Sequence, residues 1–269
     1  MSIPKIVFIV PYRNREEEKL HFSIFMRYIL EDYDKNDYEI YYSHQKDNKP
    51  FSRGGTKNIG FLAIKKKYPK DYKNITLVFN DVDTVPSRKN MLNYRTSKGI
   101  VKHFFGFNFT LGGIFSITGE DFERCNGFPN LYGWGLEDNT MNDRVKSANI
   151  KIDRSNFYPI RSKKILNIFD GPNRLINNKE PTNYNKRLLN DNLSDIKNLD
   201  YSIVPNKEFS NINNENEFMI NINNFDSLIN PRREDFYVQD ISKSAKLKTN
   251  VLEKQRIKEQ WSMKRMMGI

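Results

Sequence analysis

Two short acidic clusters and a few arginines carry most of the chemistry that this sequence could perform. Asp81-Val82-Asp83 closes the apolar run at residues 75–79. Two carboxylates separated by one apolar residue at a strand end can put one on a cation while the other meets ribose or sugar hydroxyls. Hard oxygen donors of this kind favour Mn²⁺ or Mg²⁺ over zinc or copper. Glu137-Asp138 follows Gly133-Trp134-Gly135, which combines pliable backbone, an indole plane for the apolar face of a sugar, and carboxylates for its hydroxyls. Arg13, Arg15, Phe51 and Arg53 add cationic patches and a ring, and with the acidic pair they suit a nucleotide diphosphate bridged by a divalent cation. Each acidic cluster taken alone also fits an ordinary feature: an Asp-rich turn after a strand, or acids in the first turn of a helix, where the dipole favours them.

The elements that must position these residues read as an α/β domain on a mostly parallel sheet flanked by helices. Residues 6–10 form an apolar first strand. Residues 16–30 place Leu20, Ile24 and Tyr28, then Phe25 and Ile29, at helical spacing behind three glutamates. Strands at 38–43 and 75–79 bracket a helix at 56–67 that ends in a lysine run. Open α/β sheets bind ligands beyond the carboxyl ends of their strands, so the three loops carrying Arg13/Arg15, Phe51/Arg53 and Asp81/Asp83 should converge. Residues 106–144 are rich in glycine and aromatics. Beyond Asn167 the chain turns Asn-, Lys- and Asp-rich and reads as loops, except for a closing strand at 218–222. A basic helical tail with Leu252, Ile257, Trp261 and Met266 is expected at 243–267. The expected division is a catalytic domain at 1–223 and a basic, helical C-terminal extension at 224–269.

The 269 residues hold 44 Lys plus Arg against 33 Asp plus Glu, a net charge of +11 that favours acidic partners: nucleotides, nucleic acid or anionic membranes. The lysine run at 65–67 and the basic tail permit a nucleic-acid reading, but no nucleic-acid motif accompanies them. The tail could equally lie on an anionic surface or pack as a plain docked helix. One cysteine, Cys125, excludes an internal disulfide framework and reads as a buried side chain, as His103 among Phe104, Phe105 and Phe107 reads as a packed histidine. No run approaches the roughly 20 apolar residues of a membrane span, and the opening lacks a basic leader. The expectation is a soluble, cytoplasmic chain, of microbial or viral origin.

Taken in order, the blocks Pro11-Tyr12-Arg13-Asn14-Arg15, Phe51-Ser52-Arg53 with Asn58-Ile59-Gly60, Phe79-Asn80-Asp81-Val82-Asp83-Thr84-Val85-Pro86, Gly112-Gly113, and Gly127-Phe128-Pro129-Asn130 through Trp134-Gly135-Leu136-Glu137-Asp138 resemble the β-1,4-galactosyltransferase family. The likeness covers about residues 4–223. It implies a GT-A fold, a UDP-sugar donor, Mn²⁺ with Mg²⁺ as an alternative, and transfer to a glycan or glycoconjugate with inversion in one displacement. Carried onto this chain, the resemblance makes Asp138 the general base with Glu137 beside it. Pro11, Arg13, Arg15, Phe51, Arg53, Asp81, Val82, Gly113 and Trp134 would hold the donor and Asp83 the metal. Trp134, Gly135, Glu137, Asp138 and Arg187 would meet the acceptor.

Three departures qualify the likeness. The family's metal-binding His has no counterpart, because the histidines are His21, His44 and His103; Asp170 is the expected substitute, with Asn173 a weaker one. Before Gly112-Gly113 the family's aromatic pair is replaced by Thr110-Leu111, which keeps galactose, GalNAc and GlcNAc open as the transferred sugar. Residues 171–187 resemble the family's mobile loop only loosely, with Lys186 or Arg187 near the acceptor. A non-catalytic homologue that binds UDP-sugar, and a basic nucleic-acid-binding protein, are the alternatives.

Overall fold

The strand β1, Ile6–Tyr12, is buried along its whole length, as a central strand covered on both faces must be. In the computed structural model, which describes residues 2–168, 171–177, 191–206, 215–228 and 231–242, its alternate side chains enter two cores. Ile6, Phe8 and Val10 join one cluster, and Val7 and Ile9 join the other.

Helix α1, Glu16–Ile29, covers the first cluster. It turns Phe22, Met26 and Ile29 inward, while Leu20, Ile24 and Tyr28 are exposed. The Phe25–Ile29 line of the expected apolar face packs inward, joined by Phe22 and Met26, whereas the Leu20–Ile24–Tyr28 line faces solvent. After β2, Tyr38–Gln45, helix α2, Arg53–Lys67, covers the second cluster with Ile59, Ala63 and Ile64. It begins one turn before the expected Thr56, because the Ser52 hydroxyl accepts from the Gly55 N–H at 3.1 Å and caps it. That extra turn brings Arg53 onto the same helix as Lys57, at i and i+4.

The chain continues through β3, Thr76–Asn80; β4, Thr84–Pro86; β5, Ile100–Gly106; β6, Ile114–Thr118; α3, Gly119–Arg124; and α4, Glu137–Ser147. Short strands follow: β7, Lys151–Asp153; β8, Tyr158–Pro159; β9, Ile165–Asn167; and β10, Asn173–Asn177. The last strands are β11, Lys197–Pro205; β12, Glu217–Asp226; and β13, Phe236–Asp240. The main sheet has the order β11-β12-β2-β1-β3-β6-β5-β7, with β8 beside β5. It is mixed and largely parallel: β12, β2, β1 and β3 run together, whereas β6 is antiparallel to both β3 and β5. The carboxyl ends of β1, β2 and β3 thus open on one side, as expected.

Two features differ from the expected division at residue 223. The boundary falls inside β12, and β13 pairs antiparallel with β10 in a separate two-stranded sheet. Residues 231–242 are therefore partly strand and built into the fold, whereas the helix expected at 243–267 lies outside the described residues. The lysine run is locally engaged: Lys65 meets Glu123, Lys67 meets Glu39 at 2.8 Å, and Lys66 lies over the Tyr201 ring. No helix among the described residues is long and apolar enough to cross a membrane.

Buried Asn58 fastens α2 to the segment that leads into α4. Its amide donates to the Phe128 carbonyl at 2.7 Å and to Asn130 Oδ1 at 2.8 Å, and its own oxygen accepts the Phe128 N–H at 2.8 Å. Asn58→Leu strands these buried partners and should lower the unfolding free energy by about 2–4 kcal/mol. Denaturant titration should show a lower midpoint at an unchanged slope.

Candidate active site

A cleft of about 560 Å³ opens where the three strand ends meet, and its wall includes Pro11, Arg13, Arg15, Phe51, Arg53 and Trp134. Its floor carries Asp81, Val82 and Asp83. Nine of the residues expected from sequence to hold donor or metal thus share one cavity. Asn14, at φ 50°, makes the left-handed turn that carries β1 into α1. Arg13 mainly braces the neighbouring loop: its guanidinium donates to the Lys49 carbonyl and to the Asp47 carbonyl at 2.9 Å, with the Asp47 carboxylate at 3.8 Å. Arg15 pairs with Glu18 at 3.2 Å.

The acidic floor is held from both sides. The Asp81 N–H donates to the Gly113 carbonyl at 3.0 Å, so Gly113 acts through its backbone. Buried Asn80 donates its amide to the carbonyls of Asp81 and Thr84, both at 2.8 Å. Beyond the turn, β4 pairs with β9, and the Ile168 N–H reaches the Asp83 carbonyl at 2.9 Å. Asp170, two residues further on, lies outside the described residues, as do Lys186 and Arg187.

The opposite wall is a loop with three positive-φ positions among four residues: Gly133 at φ 89°, Gly135 at 116° and Leu136 at 72°. For a branched residue such as Leu136 this conformation is strained. Gly133 donates its N–H to the Phe51 carbonyl at 2.9 Å, and Trp134 donates to the Leu175 carbonyl at 2.8 Å. The indole is left 41% exposed, an apolar plane facing solvent. Helix α4 starts immediately afterwards, so Glu137 and Asp138 occupy its first turn. The helix-start reading of this pair therefore holds, and the same position sets both acids beside the cleft.

The geometry also brings in residues that the sequence reading did not select. Lys57, only 2% exposed, places its ammonium 3.0 Å from Asp138 Oδ1 and 4.0 Å from Asp81 Oδ1. Nothing in the sequence marks it, because its i, i+4 spacing to Arg53 fits an exposed lysine as well as a buried one. Arg174 on β10 and Arg233, just before β13, also line the cleft; they lie in the Asn-rich region where no motif marks them.

Burial and mutual charge set the electrostatics. Burial works against the Lys57 ammonium, but Asp138, Asp81 and Glu137 outweigh it and raise its pKa. Arg53 behaves alike: burial opposes its charge, and Glu137, Asp81, Asp83 and Asp138 raise it. Asp138 moves the other way for a carboxyl. Burial pushes it up to about 7, Glu137 and Asp81 add to the rise, and Lys57 opposes it. Four carboxylates therefore share this region with two inward cations, an excess of negative charge that suits a divalent cation. Among the described residues no three His, Cys, Asp or Glu side chains form a complete metal cluster. Asp83, with Asp81 beside it, offers a partial oxygen set of the kind that leaves positions for phosphate and water.

His103 is a structural residue, as expected. Arg154 Nε donates to its Nδ1 at 3.1 Å, so its Nε2 carries the proton and faces the carbonyls of Phe105 and Gly112, at 3.0 and 3.1 Å. Burial lowers its pKa to about 4. Burial also pushes the Cys125 thiol up to about 12, which removes it as a nucleophile at neutral pH.

An acidic cleft with arginine walls, at the carboxyl edge of a largely parallel sheet, defines an α/β protein of the GT-A class. The catalytic domain of Drosophila beta1,4galactosyltransferase 7, solved in complex with xylobiose, shares the fold with a TM-score of 0.65 at 23% identity, over 82% of this chain and 94% of that one. The family model described as the N-terminal region of glycosyl transferase group 7 matches residues 1–96, and that described as the N-terminal domain of galactosyltransferase matches residues 102–168. Human beta-1,4-galactosyltransferase 4 is 31% identical over 165 residues, 57% of this chain and 46% of that protein. Bos taurus beta-1,4-galactosyltransferase 1 is 32% identical over 166 residues, 58% and 40% of the respective chains. The chain belongs to the β-1,4-galactosyltransferase family, and its match spans under half the length of these relatives.

The Trp134 loop provides a test of the wall. A Cβ at Gly133 would stand 2.8 Å from the Leu175 carbonyl, at a φ that L residues rarely adopt. Gly133→Ala should therefore cost about 1–3 kcal/mol and change the fluorescence of Trp134, read against a Trp261→Phe background.

Proposed function

We propose that this chain is a metal-dependent, inverting glycosyltransferase that moves a hexose or N-acetylhexosamine from a UDP-sugar to a hydroxyl of a glycan acceptor. The observation that carries the reading is the Asp138 carboxyl, with its raised pKa, beside a cleft whose floor is Asp81 and Asp83 and whose walls are arginines and Trp134. A base poised near neutrality suits abstraction of a hydroxyl proton. Galactose is the first sugar to consider, since the relatives are named for it and the Drosophila protein has been solved with manganese and UDP-Gal. Buried Thr110, in place of a larger aromatic, keeps GalNAc and GlcNAc as candidate sugars.

In this reading Phe51 and the arginines hold the nucleotide, and Asp81 meets the donor. Asp83, with Asp170 as its proposed companion, holds Mn²⁺ or Mg²⁺. When bound, that ion supplies positive charge to the diphosphate. The acceptor lies against Trp134 and Gly135, with Glu137 beside the base; the Drosophila protein has been solved with a saccharide, xylobiose. The acceptor oxygen attacks the anomeric carbon from the face opposite the diphosphate. The new carbon–oxygen bond forms as the anomeric carbon–phosphate oxygen bond breaks. The electron pair leaves with UDP, and the hydroxyl proton passes to Asp138. Single displacement inverts the anomeric centre.

The test is turnover of UDP-Gal, UDP-GalNAc and UDP-GlcNAc with saccharide acceptors in Mn²⁺, Mg²⁺ or EDTA. One donor should turn over only with metal, and Asp138→Asn should cut kcat by about 10²–10⁴ while UDP still binds. Because burial holds the carboxyl neutral below about 7, kcat/KM should rise with pH through that value, whereas an ordinary aspartate would leave it flat there. UDP binding without turnover of any donor, given a range of acceptors, favours the non-catalytic alternative. Absence of UDP binding overturns the assignment.

A further inference from the structure

We infer that Lys57 is a positioning residue for the transfer reaction, holding the Asp138 carboxylate in one orientation and linking it to Asp81 across the site. This rests on the reading of Asp138 as the base.

The ammonium has three N–H donors and no acceptor, and it reaches the site through the packed body of α2. Its immediate neighbour Asn58 fixes the Phe128 backbone, and the Phe128 ring lies under the ammonium, 4.7 Å from its centroid. A charge on an aromatic face, flanked by carboxylates and shut off from water, has little freedom to leave. Asp138 is correspondingly confined. Its Oδ1 accepts a hydrogen bond from the Lys57 ammonium at 3.0 Å, and its backbone carbonyl accepts the Leu111 N–H at 3.0 Å. Its Oδ2 packs so closely on Gly112 that a Cβ there would stand 2.3 Å away. One carboxylate oxygen is thus committed to Lys57, and the other has a set place beside the glycine pair. Asp81 Oδ1, at 4.0 Å from the same ammonium, is at ion-pair rather than hydrogen-bond distance. The lysine charge therefore serves the donor-contacting acid and the base together.

The charged groups facing Asp138 are Lys57 and Arg53 on α2, Glu137 on its own helix, and Asp81 after β3. Within this set Lys57 favours the ionised base most directly. Its removal should loosen the carboxylate and make it harder to ionise.

The experiment is a double-mutant cycle in the full chain with Lys57→Met and Asp138→Asn, reading kcat, its pH profile and UDP affinity. Lys57→Met should lower kcat by about 10²-fold, the scale of a misplaced reacting group. UDP affinity should be little changed, and the acid limb should move to higher pH. In the Asp138→Asn background the same change should cost nothing further, because a residue that acts through another has no effect once its target is gone. Lys57→Gln, which keeps a donor, should recover part of the rate. The inference fails if Lys57→Met turns over like wild type, if it costs the same factor without Asp138, or if UDP affinity falls in step with kcat in both variants. It fails as well if neither variant folds, since the lysine would then be a structural residue. Wild-type protein that binds no UDP sinks the reading of the site, and the inference falls with it.

Discussion

The gathering of four carboxylates, one of them buried and three partly exposed, at the carboxyl edge of the sheet is the constraint around which this protein is arranged. Asp81 and Asp83 arrive from the end of β3, and Glu137 and Asp138 from the start of α4, so no single element could separate them by bending. Carboxylates gathered in a partly desolvated space repel one another and lose hydration. The fold answers with two cations one helical turn apart on α2, both held above their ordinary pKa by those acids. The answer is incomplete: with both cations in place, burial and the neighbouring acids still hold the Asp138 pKa above its ordinary value.

That arrangement explains why so much polar bonding surrounds α2. A helix that carries ammonium and guanidinium groups inward cannot be kept in place by apolar contact alone. Ser52 caps it, and Asn58 ties it to Phe128 and Asn130, which in turn donates its backbone and side-chain N–H groups to the Asp191 carboxylate. Asp191 is itself buried, and burial lifts its pKa to about 6. The network runs continuously from the helix to the segment that ends in the Trp134 loop. The strain at Leu136 is maintained at the far end of the same segment, where the Phe51 and Leu175 carbonyls hold Gly133 and Trp134. Strained backbone persists where surrounding bonds over-determine it, and here that is at the entrance to the candidate base.

The parts of this site that were legible in the sequence are those in which chemistry and secondary structure coincide. Asp81-Val82-Asp83 directly follows a five-residue buried strand, and Gly133-Trp134-Gly135 announces a turn, so both the residues and their placement at strand and helix ends could be read. Helical periodicity was a weaker guide. In α1 two apolar lines compete, and only the packed sheet shows that Phe22 and Met26 are inside while Ile24 is out. Lys57 was illegible for a different reason. A lysine reads as surface by default, and its burial follows from carboxylates that are 24 and 81 positions away in the chain.

The C-terminal segment shows the same limit on a larger scale. Composition past Asn167 carries no period, yet Leu175 in β10 holds the Trp134 N–H, and β10 is held in turn by its register with β13, where Leu175 faces Val238. The wall of the cleft therefore depends on residues beyond the strand that closes the main sheet. Such dependence is not encoded in local pattern, because a two-stranded pair is marginal alone and forms only against what it supports. Arg174 and Arg233 reach the cleft by virtue of this pairing. A segment that composition assigns to a basic appendage thereby contributes Arg233 to the wall of the cleft, and the positive charge it carries is positional where bulk net charge is not.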